Sequence, residues 1–137
     1  MKLFHNAEKA QKKIAELENI LSAIAAPMLV TDKDLKIVRI NDAALAATGY
    51  RRDEVEGRIT CGELAKTPLC GTSNCTLRIC MNGQKRLTGE TVLTTRDGKK
   101  VPISAACSAL FDDEGNACGG IEVIIDRSEA LRRPRIG

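Results

Sequence analysis

Four of the six cysteines in this chain, Cys61, Cys70, Cys75 and Cys80, fall within twenty residues and are spaced C-x8-C-x4-C-x4-C. Thiolates are soft donors, and four of them in one segment suit a zinc ion or an iron–sulfur cluster, or can exchange disulfides with one another. The spacing lacks the tight Cys-x2-4-Cys pairs usual in structural zinc sites. Cys75 and Cys80 are five apart, so on a regular helix they diverge by about 140°. They can share a centre only if Cys75 precedes the helix or sits in its irregular first turn, and Thr72-Ser73-Asn74 makes such a start possible. Cys107 and Cys118 fall on expected strands and read as small core residues.

Other chemistry finds little support. The single histidine, His5, lies near the start of the chain, which excludes a serine–histidine–acid triad. There is no Gly-x4-Gly-Lys-Ser/Thr phosphate loop and no His-Glu-x-x-His motif, so no enzyme is expected. The formal charge of +3 comes from 21 basic and 18 acidic residues, a mixed surface with no basic stripe to bind nucleic acid directly. No segment approaches a membrane span and no signal-peptide pattern opens the chain; a cytoplasmic location is expected. In a reducing compartment the cysteines read as ligands, redox sensors or core residues rather than as a disulfide framework.

The elements that must position the thiols follow from periodicity. Ala7, Ala10, Ile14, Leu17, Leu21 and Ile24 form a heptad seam with charged residues between them, the pattern of a helix that pairs with its twin or packs on its own domain. Pro27 ends that helix. Met28–Thr31 and Leu35–Ile40 then read as a hairpin turned at Asp32-Lys33-Asp34. Asn41 is a good cap for a short helix that closes at Gly49, and a further helical turn is expected between Arg51 and Gly57. The tail of the cysteine segment, Asn74 to Met81, reads as helical up to the break at Asn82-Gly83. Three strands follow, Thr88–Arg96, Lys100–Phe111 and Ala117–Ile125, punctuated by Asp97-Gly98 and by Asp112-Asp113-Glu114-Gly115. The expected class is α+β, a five-stranded antiparallel sheet with short helices on one face and a coiled-coil-like N-terminal helix.

The ordered set Leu29-Val30-Thr31-Asp32, Asn41-Asp42-Ala43-Ala44, Gly49-Tyr50 with Glu54 and Gly57, Arg96-Asp97-Gly98-Lys99 before Val101-Pro102-Ile103, and Asp113-Glu114-Gly115 before Gly120–Asp126 resembles a PAS sensory domain over about Ile20 to Glu129. The resemblance implies a PAS fold serving as the input module of a chemoreceptor, sensor kinase or transcriptional regulator. It divides the chain into a signalling and dimerisation helix over 1–26, a PAS domain over 27–127 and the start of an output helix over 128–137. Asp126 is placed to cap that helix. The implied partners are a second copy, through the N-terminal helix, and a downstream output module. Cys61, Cys70 and Cys75 also resemble a Cys-x8-Cys-x4-Cys pattern in PAS domains of anaerobic bacteria, in which a fourth thiol, here Cys80, is less regular.

The expectation is a sensor of redox state, or of a zinc or iron–sulfur cofactor, at Cys61, Cys70, Cys75 and Cys80. Haem lacks an axial histidine and a Cys-x-x-Cys-His motif. Asn74-Cys75 resembles the Asn-Cys of flavin-binding PAS domains, but Thr76-Leu77-Arg78-Ile79 does not continue that motif, and Phe4, Tyr50 and Phe111 are the only aromatics. Two alternatives remain: a PAS receptor for a small polar molecule with incidental cysteines, where Arg78, Thr94 or Ser104 would face the ligand, and a purely dimerising module.

Overall fold

A computed structural model of the chain describes residues 26–84 and 86–132, together with Glu8, Gln11, Lys12, Ala15, Glu16 and Asn19, which are helical and exposed. The heptad seam, and with it the expected dimer contact, lies outside the described residues, as does His5.

Five strands form one antiparallel sheet: β1 (Met28–Asp32), β2 (Ile37–Ile40), β3 (Arg86–Thr94), β4 (Lys100–Phe111) and β5 (Ala117–Asp126), in the order β2-β1-β5-β4-β3. Short polar side chains build the turns between them. Asp32 Oδ1 accepts from the N–H groups of Asp34 and Lys36, both at 2.9 Å, and Asp112 Oδ1 accepts from those of Glu114 and Asn116 at 3.0 and 2.9 Å.

Four short helices lie between β2 and β3: α1 (Asp42–Thr48), α2 (Arg52–Val55), α3 (Cys61–Ala65) and α4 (Thr76–Ile79). Asn41 fixes the first of them. Its Oδ1 accepts from Ala44 N–H at 3.0 Å and Met28 N–H at 2.9 Å, while its Nδ2 donates to Ala26 O at 2.7 Å, so one amide ties the helix start to the head of β1. Gly49 ends the helix at φ +85, a left-handed conformation open to glycine. The helix α3 is not among the expected elements although its signature stands in the sequence: Thr60 and Glu63 form a reciprocal capping box, with Glu63 N–H donating to Thr60 Oγ1 and Thr60 N–H to Glu63 Oε1, both at 3.2 Å.

The helix α4 starts later than expected, at Thr76, and passes into a wide turn over Cys80–Gln84 that breaks at Gly83. At the far end α5 (Ser128–Arg132) follows β5, and Asp126 Oδ1 accepts from Ser128 N–H at 2.8 Å, the cap anticipated for that residue.

The helices cover one face of the sheet, and the core lies between the two layers. Leu29, Ile37, Ile40, Leu64, Leu77, Leu93, Ile103 and Ile124 are all buried there. Among the described residues no helix is long and apolar enough to cross a membrane.

Candidate functional site

Two glycines let a cysteine-bearing helix lie directly on the sheet. A Cβ at Gly89 of β3 would stand 2.9 Å from Thr76 Oγ1, and one at Gly120 of β5 would run into the Leu77 side chain. With neither Cβ present, Leu77 reaches the sheet and is 1% exposed. Cys75, as the N-cap of α4 with φ −59 and ψ 117, is held outside the helical spiral, which is the placement that a shared centre requires. On the neighbouring wall Cys61 is the first residue of α3, and Cys70 sits in the loop between the two helices with its Sγ 3.1 Å from Thr67 Oγ1.

These three thiols converge with Cys107 of β4 on a cavity of about 30 Å³, also lined by Thr67, Thr76, Leu77, Thr91 and Glu122. Cys80 does not reach it. Its thiol is fully buried and donates to Cys107 O at 3.4 Å, beside the cavity rather than in it. The two strand cysteines separate. Cys107 is a buried core residue as expected and also a wall of the cavity. Cys118, expected in the core, is exposed. The pairing steps from Leu110↔Gly119 to Phe111↔Ala117, which leaves Cys118 as the extra residue of a β-bulge. All six cysteines are free thiols.

Glu122 also lines this cavity and is not among the residues expected there. Ile40, Leu29, Glu122, Cys107 and Leu87 stand side by side across the five strands, so a carboxylate occupies the middle of an otherwise apolar row facing the helices. Among the described residues it has no hydrogen-bond or ion-pair partner. Burial alone pushes its pKa up to about 7. The carboxylate acts in turn on the thiols. Cys61 is driven well above the usual thiol range, first by burial, then by Glu122 and by the Cys75 and Cys70 thiols. Cys107 moves the same way, first by burial, then by Glu122 and the surrounding cysteines. Cys80 is raised by burial and by Cys75. Reactive cysteines sit in electropositive, accessible surroundings. The surroundings of Cys61 and Cys107 are the reverse, and those two thiols keep their protons.

The expected four-thiol centre does not fit as placed. Cys80 faces away, and among the described residues no three Cys, His, Asp or Glu side chains stand in an arrangement that could hold a metal ion. An iron–sulfur cluster is also larger than the cavity, which has room for about one or two waters.

A second, larger cavity of about 350 Å³ lies at the other end of the same sheet face, lined by Pro27, Ala46, Ala47, Leu93, Lys99, Ile124 and neighbours. Neither lining contains an aromatic ring, and neither contains Arg78, Thr94 or Ser104, the side chains expected to meet a polar ligand. Arg78 is exposed, and Lys100 Nζ donates to Thr94 Oγ1 at 2.9 Å at the sheet edge.

Comparison with known proteins agrees with this architecture. A light-oxygen-voltage domain studied with a flavin analogue superposes with a TM-score of 0.69 at 23% identity, over 85% of this chain and 87% of its own. The PAS domain of a protein from Colwellia psychrerythraea gives 0.73 at 16% identity, over 85% and 98%. A PAS domain from a two-component sensor histidine kinase gives 0.67 at 10% identity, over 85% and 98%. At these identities the likeness speaks for the fold. No curated protein is significantly similar in sequence. The family model described as a PAS domain matches residues 25–129, most of the chain and every strand of the sheet, and the chain therefore belongs to the PAS domain family.

Proposed function

We propose that this PAS domain is a signal-input module whose sensing site is the thiol-lined cavity, where a change in redox state or in a bound soft cofactor is read and passed to an output module. PAS domains are generally sensory rather than catalytic, and no catalytic role is assigned to any residue. The observation that carries the reading is the convergence of Cys61, Cys70, Cys75 and Cys107, drawn from two helices, a loop and a strand, on one small cavity. A change of charge or volume there acts on the seat of α3 and α4 on the sheet, because Cys61 opens one helix and Cys75 caps the other. Switching of this kind needs two packings that differ by only a few kcal/mol. In this reading the N-terminal helix over 1–26 pairs two copies and the segment from 128 leads to the output.

The test is signalling by the full-length protein carrying Cys70→Ser and Cys75→Ser, alongside iron, zinc and sulfide analysis after anaerobic purification. Altered signalling is expected; unchanged signalling would sink the reading. A second reading rests on the larger cavity, whose volume lies within the range of small-molecule pockets. It predicts a metal-free protein whose Tm rises with an added metabolite while both cysteine variants signal normally.

A further inference from the structure

We infer that the open edge of β3 is an interface between two copies of this chain, which pair antiparallel about Thr88 and join their sheets into one. The inference is independent of the thiol cavity, and its failure would leave the sensing reading untouched.

The two edges of the sheet differ. At β2 the backbone groups that point away from β1 are taken up by α2 and the turn after it. Ile37 N–H donates to Ile59 O at 3.0 Å and Gly57 N–H to Ile37 O at 2.8 Å, while Ile40 N–H donates to Glu56 Oε2 at 3.0 Å and Arg52 Nη2 to Ile40 O at 2.8 Å. That edge is closed. The other edge is β3, and it runs for nine residues. Thr95 N–H donates to Lys99 O at 2.9 Å across the hairpin, and the unbroken register with β4 carries the alternation back along the strand. Arg86, Thr88, Glu90, Val92 and Thr94 therefore turn their N–H and C=O groups outward. Among the described residues no hydrogen bond is made to them. Natural sheets blunt such an edge with proline, a bulge or an inward-pointing charge. β3 has no proline and no bulge, and its two charged residues, Arg86 and Glu90, lie on the outer, exposed face.

The strand is complementary to itself. In antiparallel pairing about Thr88, Arg86 of one copy stands opposite Glu90 of the other, and the two-fold axis repeats the pair. Leu87 comes opposite Gly89, where no side chain opposes it. A slip of two residues sets each charge against an uncharged residue, and a slip of four sets like charge against like. Glu90 can serve both neighbours, because it meets Arg127 of its own chain through Oε2 at 3.1 Å and leaves Oε1 for the second copy. So short a strand pair buries less than a stable dimer needs, and the association is weak by itself. A further contact between the same two copies, such as pairing of the helix over 1–26, would strengthen it by making the strand pairing intramolecular.

The experiment is sedimentation equilibrium of the intact, reduced chain over a concentration series, repeated with Arg86→Glu, with Glu90→Arg, with their equimolar mixture and with the double variant. Both side chains are exposed, so the circular dichroism of every variant should match that of the unaltered protein. Reversible self-association is expected, weakened about 10-fold or more by either single reversal and restored in the mixture and in the double variant. Hydrogen-exchange protection of the Thr88 and Glu90 amides should rise with concentration in the unaltered chain and not in the single variants. Association that the single reversals leave unchanged would place the dimer contact elsewhere and overturn the inference, as would single variants that the mixture does not rescue. A chain that stays monomeric at every concentration would also overturn it, leaving the edge to a strand of another protein.

Discussion

Two cavities on the helix-covered face of the sheet differ more than tenfold in volume, about 350 Å³ against about 30 Å³, and the smaller one holds the thiols. The larger is walled by alanines, Gly49 and Pro27, with Leu93, Ile103 and Ile124 from the strands and Asp97, Lys99 and Asp126 at its margin. The smaller concentrates four thiols, three threonines and an unpartnered carboxylate. Volume tells how large a guest can be. The side chains tell what chemistry a guest would meet, and the thiol cavity offers sulfur and one carboxylate.

The sharpest way to separate the two is to remove the side chain that seats α4. Leu77→Ala deletes a fully buried anchor over Gly120 and should destabilise the domain by about 2–5 kcal/mol in urea unfolding. Ala47→Leu, at the exposed rim of the large cavity, should change stability by less than about 0.5 kcal/mol. Equal effects would mean that the thiol cavity is no more tightly built than the other.

The next effect in size depends on pH and belongs to Glu122. Its pKa of about 7 lies above its ordinary value of 4.5, so the folded protein holds a proton that the unfolded chain releases. The corresponding stability is complete below about pH 4.5 and is lost as pH rises through about 7, a drop of about 3 kcal/mol in metal-free protein. Denaturation midpoints between pH 4 and 8 should follow this slope in the unaltered chain and lose it in Glu122→Gln. An unchanged slope in the variant would place the carboxylate in water.

Smaller still is the contribution of the cap beside the large cavity. Asn41→Ala removes three hydrogen bonds that tie α1 to the entry of β1 and should lower stability by about 1–2 kcal/mol, with thiol accessibility to a maleimide reagent unchanged. The smallest effect is expected at Arg96, which meets Glu54 at 2.8 Å and lies 5.8 Å above the Tyr50 ring on a half-exposed surface. Arg96→Ala should shift stability by about 1 kcal/mol or less, and by less again in high salt.

Much of this was legible in the sequence, for reasons that differ from one element to the next. The strands announced themselves because apolar alternation and Asp-rich turns are local signals, and the Asn41 cap and Gly49 stop bounded α1 for the same reason. The cysteine cluster stood out by type and spacing, yet which thiols meet depended on α3 and on how α4 seats on the sheet, which sets Cys80, the α-helical C-cap of α4, against Cys107 O. The first of these was readable from Thr60 and Glu63; the second is set by tertiary packing. Cys118 was misplaced because a bulge changes a side chain's surroundings without leaving a mark on the alternation. Glu122 was missed because a glutamate within Ile-Glu-Val-Ile-Ile suggests the wet face of a strand. Counting alternate positions from Gly120 and Ile124 would have turned it inward.

The location of Glu122 on β5 has a mechanical consequence. Four residues further along the same strand, about 13 Å away, is Asp126, whose carboxylate holds the first N–H group of α5. The next residue, Arg127, donates its N–H to Pro102 O at 2.8 Å and pairs with Glu90 at 3.1 Å. Glu122 and Asp126 thus ride on one strand, paired with β4 along the whole stretch between them and with β1 as far as Val123, so a displacement at one end has little slack to take up before it reaches the other.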